Sequence, residues 1–281
     1  MDRFKTALRV CRYSLRRLIT TPKAIAVPIA AFFIVFYASQ DVRSLCAEYN
    51  VLASPFALFT CITITASMVS LLIVGLMLLM SDAPFIDDAQ PNVIMRSGRL
   101  EWSLGQLLFM FAVSVAYWLF VAVCCFLVLL GRIDWRNEWG TVFSTLQYNP
   151  SYHFSSSTLV MANYSVLKAF FTSMALAVAL SVFLLEIIYI VNIHTNTMYG
   201  LFVPLAFVFL NWAYFMWGFN VIPLHASPVS LAALNWLDPT GITLLPTPGY
   251  AAIFFTTGVT CLSILCAVSI RGKNICTRHT T

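Results

Sequence analysis

The chain is 281 residues long, 60% apolar and only 10% charged, with a net charge of +5. Soluble domains carry about 25% charged residues, so this composition excludes an ordinary soluble domain and indicates a polytopic membrane protein. No aromatic-interleaved basic groove accompanies the positive charge, which points to anionic lipid headgroups and away from nucleic acid.

In chain order, Met1–Thr20 is expected to form a helix lying in the membrane interface. Phe4, Leu8, Cys11, Leu15 and Leu18 recur at helical spacing, and Arg3, Lys5, Arg9, Arg12, Arg16 and Arg17 fill the remaining positions, giving an apolar stripe beside a basic face. Its apolar core begins too late for a cleavable signal peptide. Thr20-Thr21-Pro22 ends the helix, since proline is tolerated where the first amides of the next helix have no partner. Long apolar runs then predict six spans, at about Ala24–Ser39, Phe56–Met80, Ser103–Leu130, Leu167–Val191, Tyr199–Gly218 and Tyr250–Ile270. A helix of about 20 apolar residues crosses the hydrocarbon.

Between the spans, Gln40–Pro55 reads as a short external loop of mixed charge. Arg132–Thr158 reads as a longer one, whose Trp135, Trp139, Tyr148 and Tyr152 suit the headgroup level. Asn192–Thr197 reads as a short cytoplasmic turn. Phe219–Pro248 places Pro223, Pro228, Pro239, Pro246 and Pro248 around apolar stretches. It is too short to span and too apolar for a solvated loop, so short re-entrant or interfacial helices are expected there. The expected fold class is all-α: one transmembrane domain of six helices, with an N-terminal amphipathic interfacial helix and short external re-entrant helices.

Lys and Arg set the orientation. Residues 1–23, the polar stretch around Arg96 and Arg99, and the tail with Arg271, Lys273 and Arg278 hold 12 of the 16 basic residues. Six spans put these three segments on one side, so both termini are expected in the cytoplasm, the chain being multi-pass in an inner (plasma) membrane.

The chemistry inside the spans is sparse. Glu186 is the clear ionisable exception, about six residues or roughly 9 Å from the cytoplasmic end of span four. An intramembrane carboxylate is a functional hypothesis by default, and both a structural pairing and ion coupling fit it. Thr60, Thr63, Thr65, Ser67, Ser70 and Ser114 are polar enough to pack helices. There is no HExxH, no Ser/His/Asp spacing, no pair of carboxylates within a span and no GxxxxGK[ST] loop. Eight cysteines form no CxxC or Cys/His pattern. Neither catalysis nor a bound metal is expected of this chain.

The most distinctive stretch is a polar island between spans two and three. Asp82-Ala83-Pro84-Phe85-Ile86-Asp87, then Arg96-Ser97-Gly98-Arg99, Trp102 and Gly105-Gln106, resemble the linker between spans two and three of small type-2 ABC-transporter permeases. These are six-span membrane subunits found in bacterial export operons. The order of the whole chain is similar to that family as well: basic interfacial helix, six spans, and a Pro-broken apolar segment before the last span.

The resemblance implies an exporter subunit that moves an amphipathic or peptide-like cargo. It would work as a homo- or heterodimer of permeases with a separate ABC ATPase subunit. ATP and Mg would sit on that partner, with no cofactor on this chain. Pro84 to Asn92 would form the coupling contact, with Phe85 and Ile86 as apolar anchors and Asp87 and Asp88 facing basic residues of the ATPase. Arg96 and Arg99 would meet lipid phosphate or ATPase carboxylates, and Trp102 would mark the interface. Gln90-Pro91 would interrupt any long coupling helix. Spans two and five would line the path, with Thr60, Thr63, Ser67, Asn211 and Tyr214 as candidate lining. Two other readings stay open: a non-transporting docking or sensor protein that uses the island, and an ion-coupled carrier that uses Glu186.

Overall fold

A helix satisfies its own peptide groups without water, which is what an apolar surrounding demands. The computed structural model describes residues 2–84, 90–148, 157–195, 198–217 and 222–271. Among them there is no strand, only an isolated bridge between Ala53 and Ile133. The order is α1 (Asp2–Ile19), α2 (Lys23–Ala38), α3 (Gln40–Glu48), α4 (Pro55–Ile64), α5 (Ala66–Leu79), α6 (Gln90–Ser97) and α7 (Arg99–Val128). Then come α8 (Gly140–Tyr148), α9 (Thr158–Asn163), α10 (Val166–Thr195), α11 (Phe202–Trp217), α12 (Ile222–Ala226), α13 (Pro228–Ala232) and α14 (Pro248–Arg271), with 3-10 turns at Met198–Leu201 and Leu234–Trp236.

Among the described residues, three helices are long and apolar enough to cross a membrane alone: α7, α10 and the Pro248–Ile270 part of α14. Two bent pairs raise the number of candidate spans to as many as five: α1 with α2, meeting at 72°, and α4 with α5, meeting at 86°. Tyr199–Trp212, from the 3-10 turn into α11, is a shorter apolar helical stretch. Length and composition therefore fit a membrane protein, with fewer unbroken spans than the expected six.

The second expected span departs most from a straight helix. Thr60, Thr63 and Thr65 each turn a hydroxyl back onto carbonyls of their own helix, at 2.8 to 3.1 Å. Such back-bonding bends helices, and Ile62, Ile64 and the threonines are stiff at χ1. Thr65 leaves the helical conformation (φ −78°, ψ 110°) and the axis turns there. α4 has ten residues, about 15 Å of helix, and almost every side chain on it is buried. It is a half-helix set in the core.

α1 ends at the expected break. The Thr20 and Thr21 hydroxyls donate to the carbonyls of Arg17 and Leu18, both at 2.7 Å. Its face buried in the protein is Ala7, Val10, Cys11, Ser14 and Leu18, while Phe4 and Leu8 of the expected apolar stripe are exposed. That face crosses α7 at Gly105, where a Cβ would lie 2.6 Å from Val10 Cβ and 2.8 Å from the Ala7 carbonyl oxygen. Gln106 donates to Ser14 at 3.1 Å, and Arg3 pairs with Glu101 at 3.5 Å.

Other expectations shift in detail. Trp102 is fully buried beside Tyr189 of α10, ring centroids 6.2 Å apart. α6 takes in Gln90-Pro91 and runs to Ser97; the residues before Gln90, on which the expected interruption of a longer coupling helix turns, lie outside the described residues. The loop after α2 is itself a helix, α3. In the segment after α11, α13 is capped by Ser227 and wholly buried. The turn that follows is organised by Asp238, whose carboxylate accepts from the amides of Thr240 (2.7 Å) and Thr243 (2.8 Å) and from both hydroxyls.

Candidate functional site

Four chain segments meet at one polar knot. Lys23, at the start of α2, donates to Asp82 Oδ2 at 2.6 Å and to Ser81 Oγ at 2.7 Å, just beyond the end of α5. Asn192, in the last turn of α10, is 6% exposed and uses both ends of its amide. Its Nδ2 donates to the carbonyls of Ser81 (2.8 Å) and Ala83 (2.7 Å), and its Oδ1 accepts from the Gly200 amide at 2.9 Å. Gly200 lies in the 3-10 turn that leads into α11. A Cβ at this glycine would stand 2.5 Å from the Ile188 carbonyl oxygen and 2.6 Å from Asn192 Oδ1, so the close approach requires glycine.

The partners differ in energetic weight. Lys23 and Asp82 are both about a third exposed, and such pairs contribute up to about 1 kcal/mol. Asn192 is buried, and removing it would leave three backbone groups needing new partners. The fixed geometry of the knot rests chiefly on Asn192.

Two helices run from this knot and leave a groove between them. α5 ends at it and α11 starts beside it. The groove has a volume of about 660 Å³ and is lined by Ser67, Ser70 and Leu71 on one wall and by Leu205, Phe209 and Trp212 among others on the facing wall. Ser67 is exposed, and the buried Ser70 Oγ has no hydrogen-bond partner. Its far end lies near the break at Thr65. Interrupted helices at membrane depth occur where backbone is buried in protein or lines a cavity.

The sequence-derived residues divide accordingly. Ser67 lines the groove. Thr60 and Thr63 do not; they are buried in α4 with hydroxyls bonded to their own helix. Asn211 is buried, and its Oδ1 accepts from the hydroxyls of Ser227 and Ser230, tying α11 to α13. Tyr214 belongs to α11, but its side chain lies outside the described residues. So do Phe85, Ile86, Asp87 and Asp88 entirely. Pro84 is buried immediately after the clamped carbonyls, and Arg96 is exposed in the last turn of α6. Arg99 Nη1 reaches the Ile270 carbonyl at 3.5 Å, linking α7 to the end of α14.

Glu186 lies further from the end of its helix than the sequence suggests. α10 continues to Thr195, so the carboxyl is about nine residues, roughly 14 Å, from the helix end. It is 1% exposed; Oε1 accepts from Ser263 of α14 at 2.6 Å, and Oε2 has no hydrogen-bond partner. Tyr189 OH, a turn further on, and Ser103 Oγ on α7 are also buried without one. Among the described residues no His/Cys/Asp/Glu group of three could hold a metal.

Sequence reasoning passed over Asn192, Gly200 and the Lys23–Asp82 contact. The available signal was Asn192 itself, a lone amide in the apolar run from Ile187 to Ile193. Comparison with protein-family models, with curated proteins and with solved structures finds no match.

Proposed function

We propose that this chain is the membrane permease subunit of an ATP-driven exporter, moving an amphipathic or peptide-like cargo. It pairs with a second permease, identical or not, and with separate ABC ATPase chains that hold ATP and Mg. In this reading α2, the α4–α5 pair, α7, α10, α11 with its leading 3-10 turn, and α14 are six spans of an inner (plasma) membrane. Both termini are then cytoplasmic, and the short helices after α11 re-enter from the external side.

The observation that carries the reading is the knot at Asn192. It fixes the start of the polar island to the ends of both groove-lining helices. A partner that grips Pro84 to Asn92 through Phe85 and Ile86 would pull on α5 and α11 together. Rigid-body transmission of that kind needs a gripped segment and stiff elements behind it. The groove has almost wholly apolar walls with the exposed Ser67 at one end, which suits the apolar part of an amphipathic cargo.

The test is gentle purification of the tagged chain from its native membrane, with mass spectrometry of what accompanies it. A P-loop ATPase is expected with the unaltered chain and lost from the Phe85→Asp, Ile86→Asp variant. Recovery of no ATPase with either chain, under conditions that preserve complexes, would overturn the reading.

One observation favours a second reading. The buried, half-partnered carboxyl of Glu186 is what an ion-coupled carrier would use. Glu186→Gln separates the two, since it abolishes transport by a carrier and spares ATP-dependent export.

A further inference from the structure

A second groove lies where α7, α10 and α14 meet on the outside of the bundle. Its volume is about 660 Å³, and its walls include Phe111 and Leu119 of α7, Phe171 and Val182 of α10, and Phe255 and Thr260 of α14. Phe111, Leu119 and Phe171 are all exposed, so the groove faces outward. Thr256 also borders it, but the hydroxyls of both threonines donate to carbonyls of α14 itself. No wall hydroxyl is left over for a polar occupant.

The dimensions narrow the choice. On α10 the groove extends from Phe171 to Val182, about 17 Å at the helical rise, close to the ~15 Å hydrocarbon depth of one leaflet. Spread over that length, its volume gives a mean cross-section of roughly 40 Å². A helix about 10 Å across needs about twice as much. The groove therefore admits an extended hydrocarbon chain and excludes a helix from a second copy.

The residue at its mouth supplies the charge. Lys168 precedes Phe171 by about 4.5 Å of helical rise, and at about 100° per residue it shares a face with Phe171, Ala175 and Val182. It is exposed, and among the described residues no carboxylate pairs with it. Its ammonium stands over the ring of Tyr164, 5.2 Å from the centroid. Tyr164 belongs to the segment before α10, so the charge is held toward the helix start, where a lysine of a membrane helix reaches the headgroup level.

We propose that this groove binds one anionic phospholipid of the leaflet at the Val166 end of α10. An acyl chain lies along Phe171 to Val182, and Lys168 takes the phosphate. The site rests on α7, α10 and α14 crossing the bilayer, not on export, so failure of the ATPase co-purification leaves it standing.

The full chain is reconstituted in phosphatidylcholine nanodiscs containing a trace of phosphatidylglycerol with a diazirine midway along one acyl chain. After irradiation, peptide mass spectrometry locates the labelled residues. Labelling at Phe171, Ala175 and Val259 is expected to exceed that at Thr257 and Cys261, which are exposed at the same height of α14 but outside the groove. Lys168→Gln should lower groove labelling by roughly fivefold and leave Thr257 and Cys261 unchanged. Ala175→Phe, which fills the groove, should lower it as well. If that variant does not reconstitute, Lys168→Gln, at an exposed position, carries the test. Equal labelling inside and outside the groove overturns the proposal, as does groove labelling that survives Lys168→Gln. Absence of groove labelling, with a dimer that Ala175→Phe dissociates, also overturns it and assigns the groove to a second copy.

Discussion

Replacing Asn192 by alanine removes three hydrogen bonds at once: two donated to Ser81 and Ala83, one accepted from Gly200. A net hydrogen bond contributes about 1 kcal/mol, and a buried group left unpaired costs about 1–3 kcal/mol. Taking the lower unpaired-group figure for each of the three backbone groups gives a total of about 3 kcal/mol. For a chain of this size that corresponds to a drop of roughly 6–12 °C in apparent Tm. The measurement is tryptophan fluorescence on heating in nanodiscs, paired with amide exchange at 81–83 and 200–201. Exchange should accelerate at both places together, because one side chain serves both. Asn192→Asp keeps the bond from Gly200 and sets a carboxylate oxygen against two carbonyls, so it should be at least as damaging. An apparent Tm within about 2 °C of the unaltered chain, with Gly200 exchange unchanged, would refute the idea that this amide holds the knot.

Other outcomes follow from the same geometry. Gly200→Ala forces a Cβ to within 2.5 Å of the Ile188 carbonyl oxygen and should lower stability by about 1–3 kcal/mol, read in the same melting experiment. Gly105→Ala wedges α1 off α7; faster exchange confined to residues 3–19 is expected, and unchanged exchange there would count against the close crossing. Asp238 is held well below the ordinary carboxylate range by the hydroxyl of Thr240, then by the amide and hydroxyl of Thr243. Its contribution is therefore complete above the unfolded value of about 3.9 and is lost as pH falls from there through the lower folded value. The melting difference between the unaltered chain and Asp238→Asn should be constant near neutral pH and shrink below about pH 4. Glu186→Gln should leave ATP-dependent export by the reconstituted complex intact, and loss of transport would favour the ion-coupled reading.

Much of the architecture is written in the composition. Uncharged runs locate α7, α10 and α14, and Thr20-Thr21-Pro22 locates the turn between α1 and α2, because both signals are local. What the sequence conceals depends on contacts between distant segments. Hydropathy counts Thr60, Thr63 and Thr65 as tolerable within a span, but their effect on helix direction comes from where their hydroxyls donate. α1 reads as one amphipathic stripe, whereas Ser14 turns inward because Gln106 meets it there. Asn192 looks like the first residue of a polar turn, since nothing in its neighbours announces that Ser81 and Gly200 will arrive beside it. The groove was legible in part: Ser67 lines it, while Thr60 and Thr63 are withdrawn by the bend that the threonines themselves help to make.

In the proposed exporter the bend at Thr65 and the knot at Asn192 have complementary mechanical roles. α4 is locked in the core, with Phe59 packed on Trp118 and Phe170, and Trp118 in turn donates to Ser181 of α10 at 2.8 Å. α5 has 14 residues, an arm of about 21 Å from break to knot. A shift of about 4 Å at Ser81 then requires only about 10° of rotation at Thr65 over that arm, within what a non-helical link absorbs. A straight second span could not respond in this way, because α4 and α5 would move as one rod and the packing around Phe59 would oppose it. Because Gly200 and Ser81 are bound to one amide in the last turn of α10, displacement of the island would have to carry that turn with it, moving both groove walls at their shared end, or break these bonds. The break gives α5 a place to pivot, and the knot makes α11 follow.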